Sequence, residues 1–169
     1  MTLQFLDLKK AQKENTLIYY KTINWIKTLT PELDFENGKS FTKFVKRNLK
    51  LKYPYSVFVL YDLSLPEIVG IVSIVPDDQD VGKENSLDGI WIAGVNIRRE
   101  FRNKGYGKIL FKKVDNYLSK LEIKSFRVNL FVSNPHALRI YEKFGFKRIG
   151  LKVIKHNKEN VVCSKFYNK

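Results

Sequence analysis

The stretch from Gly94 to Lys108 constrains the fold more than any other part of the chain. An apolar, β-branched run ends at Ile97, a basic loop follows, and Gly105 and Gly107 open an amphipathic helix. The apolar stripe of that helix is Leu110, Val114, Tyr117, Leu118 and Leu121. First-turn N–H groups have no partner within a helix, and the macrodipole makes that end positive. Two glycines let an anion such as a pyrophosphate approach those N–H groups. A P-loop needs Ser or Thr after Lys108, where Ile109 stands. A dinucleotide fingerprint needs a small residue where Leu110 stands. A glycine-rich helix entry that binds nothing stays open at this level.

Around this segment the 169 residues read as one domain, with no repeat or linker dividing them. Leu3–Leu8 reads as a first strand. Residues from about 14 to 29 read as a helix with Tyr19, Ile23 and Ile26 on one face, ended by Thr30 and Pro31. Ser40 is expected to cap a second helix carrying Phe41, Phe44, Val45 and Leu49. Strands follow at Tyr55–Tyr61, Ile68–Val75 and Gly89–Ile97, with an acidic loop opening at Pro76. The helix over 105–121 leads to a fifth strand alternating through Phe126, Val128, Leu130 and Val132. Asn134 and Pro135 form a cap and first helical residue for a short helix through Tyr141, stopped by Gly145. Two last strands, near 146–154 and 161–167, flank a turn at His156–Asn160. The order β-α-α-β-β-β-α-β-α-β-β describes an α/β fold. Its mixed, mostly antiparallel sheet of about seven strands is flanked by about four helices.

Charge and composition narrow the function. Lys and Arg number 31 and Asp and Glu 17, for a net charge of +14. Residues 1–97 hold 12 basic and 12 acidic side chains, so the whole excess falls in residues 98–169. A basic half suits an anionic partner: a nucleic acid, a membrane surface or a phosphorylated ligand. Lysines that only keep the surface soluble are the alternative. Cys163 has no internal partner for a disulfide. With only His136 and His156 beside it, no metal site is expected. No apolar run reaches membrane-spanning length, and the first ten residues lack the pattern of a secretory leader. A cytoplasmic protein with no membrane partner is expected. The oligomeric state is not readable.

Two motifs now stand in order along the chain. The first is Arg102, Gly105 and Gly107. The second is Asn134, Ala137 and Tyr141, followed by Gly145 and Phe146. Together, and one helix plus one strand apart, they resemble the two cofactor motifs of the GNAT superfamily of acetyl-CoA-dependent N-acetyltransferases. The element order resembles that family over nearly the whole chain. The resemblance implies that acetyl-CoA is the cosubstrate and a primary amine the acceptor. It implies that backbone groups of Val95, Asn96 and Ile97 bond to the pantetheine arm, on a strand that bulges and splays from its neighbour; Gly94 suits the bulge. Amides of Arg102, Asn103, Lys104, Gly105, Tyr106 and Gly107 would hold the pyrophosphate. Asn134 would contact the pantetheine region and Ala137 would allow its close approach.

Tyr141 is implied as the general acid that protonates the departing thiolate. Phenols are protonated at neutral pH, which suits that role. N–H donors of the splayed strand would stabilise the oxyanion formed by amine attack. A packing role for the Tyr141 ring is the alternative. The family's base has no counterpart: Asn129 and Trp91 stand at the two positions where members carry Glu, and Asp88 is out of phase. Acidic segments at Glu32–Glu36 and Asp77–Asp88 are candidates for the acceptor side or for solvated loops. Two other readings remain: a CoA-binding sensor without turnover, and a basic nucleic-acid-binding module. Nucleic acid is not the expected partner, since no RNA-recognition signature or zinc finger is present.

Overall fold

Only Gly70 and Ser73 interrupt the aliphatic run from Ile68 to Val75, the pattern of a strand covered on both faces. The computed structural model describes residues 2–28, 38–76, 89–122, 125–132, 134–155 and 158–168. In it, every residue of that run is buried. The strands are β1 (Leu3–Asp7), β2 (Ser56–Asp62), β3 (Glu67–Val75), β4 (Ile90–Ile97), β5 (Ser125–Val132), β6 (Lys147–Lys155) and β7 (Lys158–Asn168). They form one sheet in the order β1-β2-β3-β4-β5-β7-β6. Among the described strands only the β4–β5 pair is parallel. The described helices are α1 (Leu8–Glu14), α2 (Thr16–Lys27), α3 (Gly38–Asn48), α4 (Tyr106–Ser119) and α5 (Pro135–Lys143), with a 3-10 turn at Arg99–Phe101. The mixed seven-stranded sheet is the expected one; the helices number five among the described residues rather than about four.

The extra helix comes from a break that apolar spacing does not show. The Asp7 carboxylate accepts from the N–H groups of Lys9 and Lys10, starting α1 directly off β1. Asn15 then leaves the helical path at φ −140° and accepts from the Ile18 N–H, restarting the chain as α2. Two side-chain caps thus divide what reads as one helix. α3 begins at Gly38, so Ser40 lies inside its first turn and is not the cap. β7 begins at Lys158 rather than near Val161, so Lys158–Asn160 of the expected turn are strand, and residues 156 and 157 lie outside the described residues. Thr30 and Pro31 are also outside them, and α2 ends at Lys27.

Helices α1–α3 cover one face of the sheet, with Ile26, Phe41 and Val45 set against Val57, Val59 and Ile71. α4 and α5 cover the other, with Leu110, Phe111, Val114 and Tyr141 set against Val72, Ile92 and Val128. Each fully buried side chain of this kind contributes roughly 1.5–3 kcal/mol. Asp115 ties α4 to β7: its carboxylate accepts from Lys165 Nζ and from the Tyr167 hydroxyl, both at 2.5 Å. Burial, then the hydrogen bond and charge of Asp115, hold the Tyr167 pKa well above the ordinary phenol range, so the hydroxyl stays a donor. Asp115→Ala removes the acceptor that both donors share. A loss of about 1–3 kcal/mol is expected, read as a lower urea midpoint at unchanged slope.

Candidate functional site

β4 parts from its parallel neighbour halfway along. Ile90, Trp91 and Ile92 pair with Val128, Asn129 and Leu130, and the pairing stops there. β4 continues to Ile97 and β5 to Val132, so Ala93–Ile97 are not paired to β5. On its other side β4 stays paired to β3, but through a bulge. Ile71 lies opposite Asn96 and Ser73 opposite Ala93, two steps against three. The extra residue explains why Ile92 and Val95, three apart, both pack beneath α4. Asn96 points to the other face; it is buried, and its Oδ1 has no hydrogen-bond partner among the described residues.

Gly94 sits in the bulge at φ +60°, and a Cβ there would lie 2.8 Å from Phe41 Cε2 on α3. Both the backbone and the overlying ring therefore require glycine. Gly94→Ala is expected to cost about 2–4 kcal/mol, from left-handed strain plus overpacking, measured by urea unfolding. The bulge that sequence placed at Gly94 is present. Sequence reasoning missed Gly70, the register partner of Ile97, where a Cβ would lie 2.8 Å from the Asn96 carbonyl oxygen. The signal available was a lone glycine inside an aliphatic strand.

At the end of β4 the chain turns through the 3-10 segment into α4. Arg102 Nε donates to the Ile97 carbonyl at 2.9 Å, which pins the loop to the strand end. Asn103 and Gly105 take left-handed conformations, φ 59° and 83°. Gly105 is the N-cap of α4 and makes no side-chain cap hydrogen bond, whereas Asp7, Asn15 and Asn134 cap α1, α2 and α5. The Ile109 N–H bonds back to the Gly105 carbonyl, so the amides of Tyr106, Gly107 and Lys108 form the unpaired first turn. A Cβ on Gly105 would meet nothing within 4 Å, and one on Gly107 only Ile97 Cγ1 at 3.8 Å. The surface over these amides is open, as an anion requires. Tyr106 itself is buried edge-on against Phe101 (5.5 Å), which leaves only its amide for a ligand. Asn103 and Lys104 are exposed.

β5 ends at Val132, three positions before α5 begins at Pro135, so both strands precede helix N-termini. The Asn134 side chain accepts from the His136 N–H at 2.8 Å, which makes it the cap and leaves its NH₂ for another partner. Ala137 is half-buried one turn on. Tyr141 is 8% exposed, and its ring centre lies 4.6 Å from that of Phe111 on α4. The structure thus joins β4, the 102–107 loop and α4 through Arg102 and Ile97, and joins α5 to α4 through Tyr141 and Phe111. Trp91 and Asn129 are register partners, fully buried, and the Ser164 hydroxyl donates to Asn129 Oδ1 at 2.5 Å. Neither side chain has a basic atom to take a proton from an ammonium. Asp88, the segment Asp77–Glu84 and Pro31–Glu36 lie outside the described residues.

A forked pair of parallel strands, with an uncapped, glycine-bordered helix start at its mouth, is the arrangement the two motifs lead one to expect. The sequence profile of the acetyltransferase (GNAT) family matches residues 21–146, most of the chain, and the chain belongs to that family. Two Bacillus subtilis proteins, a probable spermine N(1)-acetyltransferase and a spermine/spermidine N(1)-acetyltransferase, are each 30% identical over 66 residues. Those residues are 38% of this chain and 43% of each relative. The crystal structure of a GNAT-family acetyltransferase from Streptococcus pneumoniae superposes with a TM-score of 0.68 at 16% identity, covering 99% of this chain and 100% of that one. At that identity the likeness speaks for the fold.

Proposed function

We propose that the chain transfers an acetyl group from acetyl-CoA to a primary amine by direct attack. The observation that carries this reading is the parting of β4 from β5 beyond Ile92 and Leu130, beside the uncapped start of α4. Acetyl-CoA supplies a thioester whose acetyl carbon an amine can attack. Backbone groups of Val95, Asn96 and Ile97 bind the pantetheine arm as an added strand would, since the β5 side of this stretch is unpaired. The amides from Arg102 to Gly107 hold the pyrophosphate, favoured by the positive end of α4. Asn134 and Ala137 border the arm on the α5 side. N–H groups along the fork stand where negative charge develops, and Tyr141 holds the proton the leaving sulfur needs.

No carboxylate takes the base position at Asn129 or Trp91, so the amine loses its proton to water or to an acidic side chain outside the described residues. The Bacillus relatives favour a polyamine as the acceptor, and spermine is the first to test. Titration calorimetry is expected to show acetyl-CoA binding, and thiol release to show turnover with spermine. Binding without turnover across a panel of amines and peptides would leave a CoA-binding sensor; no binding would remove the reading altogether.

A further inference from the structure

The segment from Gly38 to Lys52 carries six basic residues and no acidic one, a run the sequence reading did not single out. Its structure sorts those charges. Phe41, Val45 and Leu49 are buried under α3. Lys43 and Lys46, three apart in α3, lie on the exposed side, and Lys50 and Lys52 are exposed just beyond the end of the helix at Asn48. None of these four lysines has an ion-pair partner among the described residues, and the Arg47 guanidinium lies over the Phe44 ring, 5.6 Å from its centre. The helix macrodipole accounts for Lys46 and Arg47 in the last turn. Lys43 in mid-helix and Lys52, four residues past the end, gain little from it. Tyr53, next in the chain after Lys52, is 70% exposed, the most exposed large hydrophobic side chain described.

We infer that this surface binds single-stranded nucleic acid, with Lys43, Lys46, Lys50 and Lys52 along the phosphates and Tyr53 stacked against a base. The apolar face of α3 is spent on the core, which leaves its outer face no means of entering a lipid layer. Lysine ammoniums pair with phosphates as point charges, and an aromatic face next to Lys52 is what sequence-tolerant base stacking uses. The surface is separate from the 102–107 loop and independent of the acetyl-transfer reading.

The test uses the full chain and a fluorescein-labelled deoxythymidine oligonucleotide of about a dozen nucleotides, followed by anisotropy over a salt series. Binding is expected, and its logarithm should fall with log salt by about 0.7 per lysine engaged. Lys43→Gln with Lys46→Gln should flatten that slope by about 1.4. Tyr53→Ala should weaken binding by about 5- to 150-fold, the worth of one stacked base. Both variants should bind acetyl-CoA like the parent chain. No binding at low salt, or binding unaltered in both variants, overturns the inference. So does displacement of the oligonucleotide by saturating acetyl-CoA, which would place it at the 102–107 loop. Equal affinity for polyglutamate, indifferent to Tyr53→Ala, would instead mark a surface for acidic protein.

Discussion

Tyr141→Phe is expected to lower acetyl transfer by a factor of about 10²–10⁴, the usual worth of general acid–base catalysis, while acetyl-CoA affinity changes little. The substitution separates the proposed proton donation from the observed packing. The Tyr141 ring is part of the core beneath α4, in ring contact with Phe111 and near Phe146, 6.4 Å between centres. Phenylalanine keeps that packing and removes only the hydroxyl, so the fold should survive and the unfolding midpoint should move little. A shrinking or misplaced ring, as in Tyr141→Ala, would lose packing and chemistry together and decide nothing. Turnover has to be measured where chemistry limits the rate, because slow product release would hide the loss. A pre-steady-state burst of thiol release that survives in the variant at the parent rate would make Tyr141 a packing residue.

The legible parts of this fold are those where local chemistry and global position agree. The bulge was expected from the family resemblance, and Gly94 fits it because an αL residue in a strand has few alternatives to glycine; the loop to α4 was readable because two glycines border a clear amphipathic stripe. α5 was readable from its ends, Asn134 with Pro135 and Gly145 at φ 84°. The α1–α2 break was hidden, because its cause is two cap hydrogen bonds from Asp7 and Asn15, and apolar spacing carries no trace of them. The tight β3–β4 contact at Gly70 was hidden for another reason: the atom that forbids a Cβ, the Asn96 carbonyl oxygen, lies 26 positions away along the chain and enters only through register. Trp91 and Asn129 were singled out for the carboxylates they replace. Their burial, and the Ser164 bond to Asn129, depend on β5 lying between β4 and β7, an order no local pattern encodes.

The two glycines of the loop are expected to fail in different ways. Gly105 is needed by the fold: at φ 83° any side chain is strained even though a Cβ meets no atom within 4 Å. Gly105→Ala should therefore cost about 1–2 kcal/mol of stability. Gly107 is helical, and a Cβ there touches only Ile97 Cγ1 at an ordinary 3.8 Å. The protein alone gives no reason for glycine at 107. On the proposed reading the open first-turn amides beside it supply one, a bound pyrophosphate that a branched side chain would push away. Gly107→Val is expected to leave the thermal midpoint within a few degrees of the parent and to weaken acetyl-CoA binding well over tenfold, at least about 1.4 kcal/mol by calorimetry. Coenzyme A should lose affinity to the same degree and pantetheine, which lacks the pyrophosphate, should not. Equal losses for coenzyme A and pantetheine would mean that valine disturbs the fork at Ile97, and unchanged affinity for both would take the pyrophosphate away from this loop.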